Sequence, residues 1–198
     1  MRSLTVSLLL LVPLHAAAAQ WRLVLLHGTA TVSGYSRDES SPEPLAFLPD
    51  HPRSDIITIG RDLGRNRFNV EVRRTSADLT LRGQGSAIVT RGALHAWSLG
   101  LEGARRLAGA TTRPTLHGGL GLMVERWDFD VDANGARWRL AGRGTLEVTV
   151  PITRRWNGVV RGEVTASPSI FAADELPEGY VRKMGWRRGM MLGVGWRW

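Results

Sequence analysis

Gly189-Met190-Met191-Leu192-Gly193-Val194-Gly195-Trp196-Arg197-Trp198 ends the sequence, and its period is two. Met190, Leu192, Val194, Trp196 and Trp198 fall on one face of an extended strand, and Met191, Gly193, Gly195 and Arg197 on the other. One face is apolar and the other small or charged. Helical periodicity does not explain the segment, and each glycine would cost a helix about 1 kcal/mol relative to alanine.

The same alternation recurs upstream. Trp138, Leu140, Leu146 and Val148 alternate with Arg139, Ala141, Thr145 and Glu147. Phe68, Val70 and Val72 alternate with Asn69, Glu71 and Arg73, and Trp97, Leu99 and Leu101 with Ser98, Gly100 and Glu102. The pattern predicts strands near 188–198, 156–166, 137–151, 115–126, 93–106 and 66–75, with weaker ones near 55–62 and 22–34. Residues 77–81, Ala-Asp-Leu-Thr-Leu, extend the strand at 66–75 or form a hairpin of their own. Connections alternate between long (35–54, 76–92, 127–136, 167–187) and short (63–65, 107–114, 152–155). An even number of strands with short turns at one end and long loops at the other predicts an all-β fold, an eight-stranded antiparallel transmembrane β-barrel with up-and-down meander topology.

The N-terminus is consistent with such a destination. Arg2 supplies a positive start, Leu4 to Leu14 is largely apolar, and Ala16 to Ala19 ends in an Ala-x-Ala pattern. This predicts a secretory signal peptide over residues 1–19, with the barrel occupying 20–198. The apolar run is too short for a membrane anchor, which needs about 20 residues. The sequence has no cysteine, which excludes disulfide scaffolds, thiolate metal sites and a lipoprotein anchor. Its net charge of +8 is carried almost wholly by arginine, Lys183 being the one lysine. The arginines are scattered along the chain and do not form the stripe of a nucleic-acid binder.

In a lipid-embedded barrel the apolar face meets acyl chains and the polar face fills the lumen, which at eight strands is just wide enough for side chains. Glu71, Arg73, Glu102, Glu125, Arg139, Arg143, Glu147, Arg161, Glu163 and Arg197 are the expected filling, interleaved with Gly119, Gly121, Gly193 and Gly195. Unpaired buried charges cost several kcal/mol each, so an ion-pair network that plugs the barrel is expected. The competing reading is a soluble barrel with its apolar face inward. Tryptophan placement argues against it: Trp97, Trp127, Trp138 and Trp186 fall near one rim and Trp21, Trp156, Trp196 and Trp198 near the other, as two bilayer interfaces select.

The C-terminal strand resembles that of the small bacterial outer-membrane β-barrel families, OmpA-like and OmpW-like in the broad sense. In such barrels a glycine followed three and five residues later by aromatic or hydrophobic residues is read by the insertion machinery, and Gly193, Trp196 and Trp198 stand at those positions. Met191 departs from the polar residue preferred before them. The resemblance implies architecture, with the barrel-insertion machinery, outer-membrane lipid and lipopolysaccharide as partners, and no nucleic acid. It brings no functional residues with it.

Some barrels of this kind act on lipid A with His and Ser two apart on one strand face, so that the imidazole can take the serine proton. No His-x-Ser occurs here. His95 and Ser98 are three apart and face oppositely, and Asp50, His51 and Ser54 share a loop in this reading. Asp130, Asp132 and Asn134 match the first half of a calcium loop, but position 12 is Ala141, and Asn134-Gly135 reads as a hairpin turn. No cofactor and no catalytic residue is implied. The expected role is a non-enzymatic structural or surface-interaction barrel, with a narrow transport barrel and then a lipid A-modifying enzyme as alternatives.

Overall fold

The computed structural model describes residues 20–34, 36–38, 46–83, 86–110, 112–129, 136–171 and 180–198. The predicted signal peptide and the Asp130–Asn134 motif lie outside the described residues. The strands are β1 (Gln20–Ser33), β2 (Ser36–Asp38), β3 (Ala46–Leu63), β4 (Asn66–Gly83), β5 (Ser86–Ala108), β6 (Thr115–Phe129), β7 (Arg137–Pro151), β8 (Trp156–Ser167), β9 (Tyr180–Arg182) and β10 (Gly185–Arg197). Eight of them, β1, β3 to β8 and β10, form an antiparallel ring that pairing of β1 with both β3 and β10 closes. The three-residue strands β2 and β9 pair with each other above the ring, and β2 also pairs with β3.

Register fixes the shape of the ring. A perpendicular row that starts at Leu23 passes through Ile59, Val70, Leu101, Leu122, Gly142, Ala166 and Trp186. It returns to β1 at Ser33, a stagger of ten residues (from 23 to 33). Eight strands with that stagger tilt by about 40°, so each residue climbs about 2.5 Å along the barrel axis.

The 35–54 connection is strand from Ala46 onward, where β3 begins, and within 76–92 residues 77–81 extend the 66–75 strand, the first of the two alternatives their pattern offered. β4 and β5 run through most of 76–92 to meet at residues 83 and 86. Alternation continues through Ala77, Leu79 and Leu81, and register shifts at Asp50/Arg53 and Ala77/Leu79 carry the ribbon beyond the barrel. The first shift holds His51, at φ 47°, and Pro52, whose missing N–H is tolerated in a bulge.

Outward positions form an apolar belt that includes Ile57, Ile59, Val70, Val72, Leu99, Leu101, Leu120, Leu122, Leu140, Leu146 and Leu192, all exposed. Continuous exposed apolar surface of this kind is hidden by a bilayer and not by water. Inward positions are buried and predominantly polar.

Candidate functional site

The interior is built from the inward half of each alternation. Six arginines (Arg22, Arg67, Arg73, Arg143, Arg161 and Arg187) and five glutamates (Glu71, Glu102, Glu125, Glu147 and Glu163) are buried there, with Asp62 half-buried beside them. The charges balance, and they are layered along the axis.

Toward the end where Gln20 and Trp198 lie, Glu147 Oε1 accepts from Arg22 NH1 (2.8 Å) and Arg67 NH1 (2.7 Å). Arg67 Nε also donates to Asp62 Oδ1 at 2.5 Å. Arg161 links this layer to the next, with NH2 on Glu147 Oε2 (2.7 Å) and NH1 on Glu71 Oε2 (2.8 Å). In the middle layer Glu71 Oε1 accepts from Arg73 and Arg143. Arg73 forks onto Glu163, NH1 to Oε1 at 2.5 Å and NH2 to Oε2 at 2.6 Å. This bidentate geometry is the strong form of an arginine–carboxylate pair. Glu102 accepts from Asn69 Nδ2 (2.7 Å) and Thr145 Oγ1 (3.0 Å) and faces Arg143 NH2 at 3.3 Å.

A third layer is smaller. Arg187 pairs with Glu125, lies over the Trp127 ring at 5.6 Å from its centroid, and Trp127 Nε1 donates to Glu125 Oε2 at 3.2 Å. Above it the lumen turns apolar: Leu48, Ala77, Leu94, Ala96, Trp127, Ile170 and Phe171 pack into one buried cluster. Arg139 Nε and Arg137 NH1 donate to the backbone carbonyls of Ser169 (2.8 Å) and Ile170 (3.2 Å), tying the segment after β8 across this mouth. A second apolar cluster, Val24, Leu26, Ile56, Val159 and Met191, is buried on the inner side of β1, β3, β8 and β10.

The structure therefore brings Glu71, Arg73, Glu102, Arg143, Glu147, Arg161 and Glu163 into one network and sets Glu125 in a separate pair. Arg139 lies at the upper rim, bonded to backbone, and Arg197 is half-buried at the opposite mouth, where its charge interacts with those of Asp62, Arg22 and Glu147. Trp127 is fully buried and does not belong to a girdle, because it lies two residues beyond Glu125 on the inward face of β6. Trp97, Trp138 and Trp156 are exposed on the outer wall. Trp196, also outward, is partly covered by Trp198, with which it stacks at 5.0 Å between centroids.

Sequence reading missed Arg22, Arg67 and Arg187. Carrying the β4 alternation back from Asn69 finds Arg67, and carrying the β10 alternation back from Met191 finds Arg187. Arg22 had no such signal, since its inward companions Val24 and Leu26 are apolar.

Small residues make room for the network. A Cβ on Gly119 would lie 2.6 Å from Thr145 Oγ1 and 3.1 Å from the Glu102 carboxyl carbon. Gly193 answers to the barrel wall instead, since a Cβ there would meet the Leu25 carbonyl oxygen at 1.9 Å. Beside that seam Trp21 and Trp198 exchange backbone hydrogen bonds of 3.2 and 3.1 Å.

Asp50, His51 and Ser54 do not assemble into a relay. They lie on β3, where Asp50 pairs with Arg82 and lies 3.5 Å from Nδ1 of the exposed His51, while Ser54 Oγ meets Thr75 Oγ1 at 2.9 Å and neither of the other two. Ser98 is buried facing inward, opposite in direction to His95. Among the described residues no group of three or more His, Asp or Glu is placed to hold a metal ion.

No protein-family model and no curated protein sequence matches the chain. Several solved structures share its architecture, two of them small outer-membrane proteins matched over nearly their whole length. Neisserial surface protein A (NspA) matches with a TM-score of 0.50 at 13% identity, over 90% of this chain and 95% of that one. The outer membrane protein OprG from Pseudomonas aeruginosa matches with a TM-score of 0.52 at 14% identity, over 91% of this chain and 96% of that one. The chain has the small outer-membrane barrel fold. At such identities the likeness extends to the path of the backbone and not to side chains, so the arginine and glutamate lumen has to be read from this molecule alone.

Proposed function

We propose that this protein is exported by cleavage after Ala19, resides in the outer membrane of a Gram-negative-type bacterium, and acts there as a non-enzymatic structural or surface-interaction barrel. The supporting observation is the filled lumen. Three charged layers and an apolar cap lie in succession along the axis, each anchored from several strands. Opening a path would require separating buried ion pairs, each costing several kcal/mol to break. A barrel whose described residues close the middle of the lumen meets other molecules through its outer wall, its rim and the β3–β4–β5 ribbon.

Reconstitution into planar bilayers tests this. The expected record is a flat baseline under applied voltage. Stable conductance steps would overturn the reading in favour of transport, and acyl release from lipid A by the folded protein would overturn it in favour of an enzyme.

A further inference from the structure

The outer wall is not uniform around the ring. On β7 the outward positions are apolar or glycine from Trp138 to Val150, about 30 Å along the axis. On β1 the apolar outward positions end at Leu25, about 10 Å above Trp21. Beyond Leu25 the outward side chains of β1 are His27, Thr29, Thr31 and Ser33, all exposed. Their neighbours continue the change: Thr29 is opposite Arg53 on β3, Thr31 is opposite Arg188 on β10, and His27 is opposite Asp55, which is opposite Arg74 on β4.

Arg53, Arg74 and Arg188 are exposed, and none has a carboxylate within ion-pair distance among the described residues. Asp55 is taken by His27, whose Nδ1 lies 2.8 Å from Oδ1. The contrast with the interior is sharp, because every buried arginine there has a carboxylate partner. The ring's stagger puts the three arginines within about 3 Å of one height, level with Trp97, which is directly opposite Arg74. Exposed tryptophans mark the headgroup region of a bilayer. The arc from β10 to β4 spans three interstrand spacings, about 14 Å.

We propose that this arc, Arg188 on β10, Arg53 on β3 and Arg74 on β4 around the hydroxyl ridge of β1, is a binding site for the headgroup of a phosphorylated glycolipid in the outer leaflet. Planar guanidinium forks match phosphate oxygens, and Thr29, Thr31 and Ser33 offer donors and acceptors to sugar hydroxyls. A lipid is the fitting source because the arc is on the wall and not at the loop tips. Leu25, Ile57 and Val72 lie just below it, where the acyl chains of the same molecule would run. The inference rests on outer-membrane residence and names the lipid that the outer surface would hold.

The test uses native mass spectrometry of the refolded protein in detergent, titrated with bisphosphorylated lipid A. Wild-type protein is expected to retain one lipid A. The triple variant Arg53→Gln/Arg74→Gln/Arg188→Gln is expected to bind about thirtyfold more weakly or worse. Arg154→Gln/Arg155→Gln, in the turn at the opposite end, is expected to bind as the wild type does. Equal binding by the triple variant, or equal binding of dephosphorylated lipid A, overturns the proposal. So does saturation of the arc by a soluble glucosamine phosphate at the same concentration, which would assign it to a free anion. Failure of the wild type to give a heat-modifiable barrel in any amphiphile would instead defeat the membrane reading, and is seen before lipid is added.

Discussion

Arg161 and Glu147 face each other across the β7–β8 pair, and Arg161 donates to the same oxygen, Oε2, from both Nε (3.2 Å) and NH2 (2.7 Å). The third nitrogen, NH1, is on Glu71, which also accepts from Arg73 and Arg143. Glu71 is therefore a carboxylate on which three buried guanidiniums converge, from β4, β7 and β8, as Arg22, Arg67 and Arg161 converge on Glu147.

Glu71→Gln should leave those three cations with too little counter-charge. Removing one partner of a buried ion pair costs about 3–5 kcal/mol, much of it the penalty of the charge left behind. The expected result is a lower transition temperature for the folded, fast-migrating form on unboiled gels. Asp55→Asn, whose carboxylate is exposed on the outer wall, should leave that transition nearly unmoved.

The ribbon beyond the barrel has its own charge latch. Asp50 Oδ2 accepts from Arg82 and from Thr80 Oγ1 (3.3 Å), and Oδ1 accepts from the His51 backbone N–H (3.1 Å). Partial burial pushes the Asp50 carboxyl up, but the Arg82 guanidinium and the His51 contacts together outweigh it and hold the carboxyl below its usual range. A depressed carboxyl stabilises the fold fully above its unfolded value, about 3.9, and loses that contribution as pH falls through its folded value. Hydrogen-exchange protection of the Leu79–Arg82 amides should therefore hold from pH 7 to 5 and weaken below about pH 4 relative to Val70 in the ring. Asp50→Asn should remove that acid-dependent step.

The number of ring strands, their topology and the sorting of charge to the inside were legible because one physical rule, period-two alternation between two unlike solvents, governs most of the chain. The rule weakened where both sides of a strand have the same character. β1 carries apolar Val24 and Leu26 inward and polar Thr29 and Thr31 outward, so its pattern inverts along its length and its Arg22 was missed. Apart from residues 77–81, the β3–β4–β5 ribbon read as loops because it leaves the bilayer, which no longer dictates which face is apolar, and because Pro49 and Pro52 argue locally against a strand. Trp127 was misplaced for a related reason: tryptophan is at home both at an interface and in a packed interior, and its residue type alone does not distinguish them.

Gly193 offers the sharpest steric prediction. It lies on β10 directly across from Leu26 of β1, at the seam where the first and last strands of the ring close. A Cβ there would sit 1.9 Å from the Leu25 carbonyl oxygen and 2.9 Å from the Leu26 Cα, and both are backbone atoms that cannot turn aside. Gly142 is also a strand glycine, on β7, but an added Cβ would meet nothing within 4 Å. Gly142→Ala should fold as the wild type does. Gly193→Val should fail to close, giving β-rich protein that runs at its boiled mobility without heating. Because closure also joins Trp21 to Trp198 by two backbone hydrogen bonds, the same variant should lose exchange protection at those two amides first. A Gly193→Val protein that still shifts on heating would show that β10 can pair one residue out of register. That alternative carries its own penalty, since a slip of one residue would turn Trp196 inward and Arg197 toward lipid.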